Sequence, residues 1–265
     1  MRIVGIDPEP ADRVPYLSAL TGGGSAALDL PVHTGRIEGL PPGLDGIIVA
    51  SDLQGVCEAG GSEPRLLGEE LAERLALLLE YEFPRLDPRR MLALLCGDLY
   101  ADPEVRRSSG DPLPVWRAFA RIYGRVSGVA GNHDLLPLGG EAELKACDNV
   151  EFFDRPGVKE VSGIRLAGLG GIVGREGRPN RMPEERFLGE AERLLSRRPD
   201  ILLLHQGPDV PGRDQRGHEG LGKRLEVGPP LLACCGHVHW PQPLAGIGQA
   251  QILNADGRAF VFTRV

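Results

Sequence analysis

The sequence predicts an α/β fold in which buried sheet is layered against helices, and three observations carry that expectation. Short apolar runs recur along the chain and each ends in a polar cluster, as buried strands do. Amphipathic stretches of helical period lie between several of these runs. Glycine (37) and proline (23) are abundant but sit between the apolar runs rather than in one tract, which fits many short connections in an ordered chain.

Taken in order, IVGI at 3–6 and GIIVA at 46–50 read as the first strands. Residues 65–83, RLLGEELAERLALLLEYEF, read as a helix. Leu67, Leu71, Leu75, Leu78 and Leu79 form one stripe, and Pro84 stops it. MLALLC at 91–96 returns to strand, PVWRAFARIYG at 114–124 to helix, and RVSGVA at 125–130 to strand. IRLAGL at 164–169 is a strand, PEERFLGEAERLLSRR at 183–198 a helix, and ILLL at 201–204 and LLACC at 231–235 are strands. QILNA and RAFVFTRV supply a closing strand pair, and with no strong helix between them some antiparallel pairing is expected. No repeat of fixed period and no linker divides the chain, so one domain over residues 1–265 is expected. At 42% hydrophobic and 25% charged, such a chain can bury a sizeable core.

A formal net charge of −7 argues against tight, sequence-independent binding to nucleic acid, which depends on clustered cations displacing counterions. Two stretches carry local positive charge: Arg175, Arg178 and Arg181, then Arg213, Arg216, Lys223 and Arg224. They read first as solvated surface and second as contacts to a substrate phosphate. The N-terminal MRIVGIDPEP lacks a basic segment followed by an extended apolar one, and no apolar run reaches the ~18 residues that span a bilayer, so a cytoplasmic protein is expected. The five cysteines are odd in number and show no CxxC spacing, which predicts reduced, mostly buried thiols. Adjacent Cys234 and Cys235 should point to opposite faces of a strand.

The reactive residues cluster at the ends of these runs. Asp52 follows GIIVAS, Asp98 follows MLALLCG, and Asn132, His133 and Asp134 follow GVAG. His205 follows ILLL, and His237 and His239 follow LLACCG, so four of the six histidines take such positions. In open α/β sheets, ligands bind where loops converge at the carboxyl ends of strands. Singly, each residue has a plain structural explanation: a cap for Asp52, a turn for Asn132, a satisfied core histidine for His205. Jointly they form an oxygen and nitrogen donor set suited to divalent Mn, Fe, Co, Ni or Zn. Asp102 reads as a loop or cap residue and His218 as exposed.

SDLQG, GDLY, GNHD, the histidine of LLLHQGP, and GHVH resemble, in order and approximate spacing, the motifs of the calcineurin-like metallophosphoesterases. Those motifs are DxH, GD, GNH(D/E), a lone histidine after a strand, and GHxH. The resemblance runs from about residue 46 onward and leaves residues 1–45 unaccounted for. It implies a four-layer α/β sandwich, two mixed β-sheets flanked by helices. It also implies a metal-dependent phosphoesterase acting on a small phosphomonoester or phosphodiester, nucleotides included. Two divalent ions are implied, Mn favoured among Mn, Fe, Ni, Mg and Zn. Asp52, Gln54, Asp98 and His239 would hold one; Asp98, Asn132, His205 and His237 would hold the other, with Asp98 bridging. His133 would face the substrate as general acid or as a donor to the phosphoryl charge, with Asp134 its orienting partner. Such a pair of ions would lower the pKa of a bridging water from 15.7 toward ~7.

Gln54 departs from the family's histidine. A neutral amide in place of a neutral imidazole leaves the charge unchanged, but its oxygen is a harder and weaker donor, which favours Mn or Mg over Zn. Three readings stay open: a ligand, a donor to water or phosphate beside the ion, or the mark of a lost position. Two other functions compete. A nuclease or polynucleotide-end phosphatase needs the two arginine-bearing stretches to form one basic track. A non-catalytic metal-binding scaffold of the same fold needs an exposed apolar patch away from the cleft. The expected partner is a small phosphate ester, with no membrane and with nucleic acid not favoured.

Overall fold

The computed structural model describes residues 1–58 and 64–265. Its strands fall into two large mixed sheets and one small pair. The centre of the first sheet is β4 (Gly46–Ser51), β7 (Met91–Leu95), β8 (Arg125–Gly128) and β9 (Val150–Phe152), all parallel. On the other side of β4 lie β18 (Arg258–Arg264), β3 (Ser25–Glu38), β2 (Asp12–Ala19), β5 (Val56–Cys57) and β6 (Arg65–Leu66), with β1 (Arg2–Ile6) also paired to β3. The second sheet runs β10 (Gly157–Val161), β11 (Ile164–Leu169), β14 (Ile201–Gln206), β15 (Leu232–Gly236), β17 (Ala250–Asn254), β16 (Leu244–Ile247). The small pair is β12 (Ile172–Val173) with β13 (Arg181–Met182). Helices α1 (Leu67–Glu82), α2 (Leu113–Ile122), α3 (Gly140–Ala146), α4 (Glu184–Ser196) and α5 (Glu219–Glu226) complete the chain.

The two-residue period of a strand sorts the core into layers. In β4 and β7, Ile48, Ala50, Ala93 and Leu95 pack with the buried faces of α1 and α2, while Ile47, Val49, Leu92 and Leu94 meet the second sheet. In β14 and β15, Leu203, Leu232 and Cys234 face that same inter-sheet core, while Leu202, Leu204, Ala233 and Cys235 lie under α4 and α5. The result is the expected four layers, helix, sheet, sheet, helix. Fully burying each large side chain contributes about 1.5–3 kcal/mol, so sliding one strand by a residue would be costly. Cys234 and Cys235 do take opposite faces, and of the five free thiols only Cys147 is not buried.

In α1, the five leucines of the predicted stripe are all buried, and the Leu66 N–H donates to Glu69 at 2.9 Å at its start. The helix ends one residue before Phe83, ahead of Pro84. The predicted closing strand pair needs correcting. Antiparallel pairing occurs, but β17 pairs with β15 and β16 whereas β18 crosses to the other sheet between β3 and β4. Leu253 and Phe260 thereby fill the inter-sheet core from opposite sides, and Gly257, at φ 60, turns the chain between them. Residues 1–45 are chiefly strand: β2 and β3 form a hairpin whose Val14, Leu30 and Val32 join the α1 side of the core. No helix among the described residues is long and apolar enough to cross a membrane.

Candidate metal centre

The carboxyl ends of β4, β7, β8, β14 and β15 bring the strand-end residues into one region, as their places in the sequence predict. The backbone is unusual there: Asp52, Asp98 and His237 adopt left-handed φ values of 55°, 53° and 70°. Such conformations cost non-glycine residues roughly 1–3 kcal/mol each and persist only where the surroundings fix them. The motif glycines have a steric reason. A Cβ on Gly131 would run into the Asp98 carboxylate, and one on Gly236 into the carboxylate of Asp52.

Asp98, His205 and His237 form the one trio of His, Cys, Asp or Glu among the described residues whose donor atoms all lie within 4.8 Å of one another. His205 is fully buried. Its Nδ1 lies 2.8 Å from the Cys96 carbonyl, which fixes the proton there and turns Nε2 toward the cluster. That Nε2 is 3.3 Å from Asp98 Oδ2 and 3.2 Å from Asn132 Oδ1. Three acceptors facing one another in a buried space require a cation between them, either a proton or a metal ion. Without an ion the proton takes that place. Burial lowers the His205 pKa, but Asp98 and Asp52 outweigh it and hold the ring well above its ordinary range. Burial, then the charge of His205, lowers His237 to about 4, leaving a neutral imidazole with a free lone pair. Asp98, Asn132, His205 and His237 therefore fit a divalent ion.

The other four-residue set does not gather. Asp52 accepts from Ser51 Oγ at 2.6 Å and from the His237 amide at 2.9 Å. Burial raises its pKa well above the carboxylate range, with His205 opposing and Asp256 and Asp98 adding to the rise. Gln54 lines a separate cavity of about 240 Å³ with Tyr100, Asp102, Arg106 and Ser108. His239 is engaged on both nitrogens, Nδ1 at 3.2 Å from Asp256 Oδ2 and Nε2 at 2.9 Å from Arg258 Nη2. These residues as placed do not fit a second ion.

His133 sits at the edge of the cluster, half-buried, with its amide donating to Asp98 Oδ1 at 2.8 Å. Its Nδ1 lies 3.0 Å from Ser109 Oγ. Asp134 is not its partner. The Asp134 carboxylate accepts from the amides of Asp98, Leu99 and Gly131, each at 2.8 Å. The left-handed turn at Asp98 takes these amides out of the strand ladder, and a buried carboxylate satisfies them. Burial, then Asp98, raises its pKa to about 6, against the pull of the amide donors.

Ser109, Asp256 and Arg258 are the site neighbours that sequence reasoning missed. Asp256 and Arg258 carried the usable signal, since DGR follows the run QILNA as the other reactive residues follow theirs. Ser109 lies in a polar loop with no such mark. Asp102 accepts from the amides of Glu104 and Val105, the expected turn role. His218 differs from expectation: it is half-buried and caps α5 by accepting from the Leu221 amide at 3.1 Å. Lys223 pairs with Glu219 and Arg224 with Glu192, while Arg181 lines a cavity of about 440 Å³ with Arg155 and Arg186.

The model of the family described as "Calcineurin-like phosphoesterase" matches residues 46–241, well over half of the chain. No curated protein matches significantly. Among solved structures, TT1561 of Thermus thermophilus is similar with a TM-score of 0.57 and 17% identity, covering 81% of this chain and 90% of that one. AQ665 from Aquifex aeolicus, described as a protein of unknown function, has a TM-score of 0.37 and 17% identity, covering 82% and 95%. The first likeness is one of fold.

Proposed function

The chain belongs to the calcineurin-like phosphoesterase family, and on that premise we propose that it hydrolyses a small phosphomonoester or phosphodiester, nucleotides included, in a metal-dependent reaction. The observation that carries this is the convergence of Asp98, Asn132, His205 and His237 at four strand ends, with His133 on the adjoining loop. Those four side chains would hold a divalent ion, which when bound would supply positive charge for a phosphate oxyanion and lower the pKa of water. Manganese is favoured among Mn, Fe, Ni, Mg and Zn, because the donors mix carboxylate and amide oxygen with imidazole nitrogen. The sequence resemblance implies a pair of ions, and the ligand geometry supports the position built on His205 and His237.

The protein side chains divide the remaining work. Asp98 uses one oxygen to hold the His133 amide and turns the other toward His205, so the ligand and the acid keep a fixed spacing. His133 protonates the leaving oxygen or donates to the phosphoryl charge, and Ser109 orients its ring from the far nitrogen. Asp134 holds the two loops together from below. A small substrate is supported over a polynucleotide because Lys223 and Arg224 are paired with acids rather than aligned with Arg181 in a basic track. We read residues 1–265 as one domain, since Ile3 and Ile37 lie in the same inter-sheet core as Leu94 and Leu203, and its unpaired thiols suit the cytoplasm.

Hydrolysis of generic phosphate mono- and diesters with Mn²⁺ tests the reading. His133→Ala should keep the ion and lower kcat by roughly 10²–10⁴-fold. An ion bound by the wild type with no hydrolysis under any divalent metal would favour the scaffold instead.

A further inference from the structure

We propose that this centre takes a single divalent ion, and that the guanidinium of Arg258 occupies the place from which His239 would hold a second. The proposal rests on the phosphoesterase reading for what the ion does, but its geometry is independent of the substrate. Arg258 opens β18 and stands opposite Ser51 of β4, so the sheet register delivers it to the strand end that carries Asp52. It is 9% exposed, and its Nη2 donates to the Trp240 carbonyl at 2.7 Å as well as to His239 Nε2 at 2.9 Å.

One tautomer satisfies the whole chain of contacts. The His239 Nδ1 proton goes to Asp256, and the Nε2 lone pair accepts from Arg258. An imidazole nitrogen has a single lone pair, so it cannot accept from a guanidinium and bind a metal at once. The guanidinium makes both contacts through Nη2, and buried Nη1 has no hydrogen-bond partner. Burial lowers the Arg258 pKa from its ordinary value, and the nearby Asp256 carboxylate opposes that shift only in part.

The two departures at this position agree with each other. Gln54 stands where the resemblance calls for histidine and faces the cavity shared with Tyr100 and Arg106. Arg258 lies beyond residue 241, where the family match ends, and fills the histidine that remains. With neither side chain offering a nitrogen lone pair, Asp52 keeps its bonds to Ser51 and to the His237 amide, and so braces the backbone of a ligand at the other position.

The test counts ions on the folded protein after Mn²⁺ loading and desalting, by elemental analysis and by electron paramagnetic resonance. The wild type should hold about one ion per chain, with the hyperfine pattern of an isolated Mn²⁺ and not of an exchange-coupled pair. His205→Ala should lose it, and His239→Ala should retain it with Mn²⁺ affinity within about twofold. Gln54→His combined with Arg258→Ser should raise the count to about two. A wild type with about two ions, an ion lost in His239→Ala, or a folded double variant still holding one would each overturn the proposal. If the double variant fails to fold, the wild-type count and His239→Ala decide alone. A wild type that holds no ion fails differently, because it removes the metal-dependent reading itself.

Discussion

At the scale of single residues, the positions of the candidate ligands were legible and those of their supports were not. Asp98, Asn132, His205 and His237 each end an apolar run, so strand burial places them without any knowledge of the loops. Asp134 stands beside them in the same motif, yet its task is set by three amides that only the folded turn exposes. Replacing it with alanine should cost about 2–4 kcal/mol, because those buried donors would be left without an acceptor; urea unfolding measures this, and a loss below 1 kcal/mol would contradict it. The same scale holds a pH prediction. In the ion-free protein burial lowers the His205 pKa but Asp98 and Asp52 outweigh it and raise it, which favours a proton on Nε2, and that proton must leave for Nε2 to bind a metal. Ion uptake should therefore release about one proton, and apparent affinity should rise with pH. Titration calorimetry in buffers of different ionisation enthalpy reads both, and pH-independent binding without proton release would contradict the assignment.

At the scale of elements, legibility followed burial. The central strands β4, β7, β14 and β15 are buried along nearly their whole length, so each reads as an unbroken apolar run. The β2–β3 hairpin is half exposed and carries Pro15 and Pro31, which blurred both the alternation and the strand signal. Its turn is written as three successive glycines, Gly22, Gly23 and Gly24, all with positive φ. The division of β17 and β18 between two sheets depends on partners some two hundred residues away in sequence for β3 and β4, which no local pattern encodes. Helix α1 offers the element-level test. Leu75 is fully buried in its stripe against the first sheet, so Leu75→Ala should cost about 2–5 kcal/mol of stability and leave ion stoichiometry unchanged at permissive temperature. Loss of the ion from a folded Leu75→Ala protein would show that α1 and the centre are coupled more tightly than layered packing implies.

At the scale of the whole molecule, two sheets share one core and put their strand ends on a common edge. The first sheet contributes Asp52, Asp98 and Asn132, and the second contributes His205 and His237. The inter-sheet core, with Val49 and Leu94 on one side and Leu203 and Cys234 on the other, thus fixes the spacing of the candidate ligands as well as the stability of the fold. The most direct measurement is an anomalous difference map from crystals grown with Mn²⁺. The expected result is a peak enclosed by Asp98, Asn132, His205 and His237, with His133 at its edge. A map with no peak among those four side chains, or with manganese bound only beside Asp52 and His239, would contradict the account.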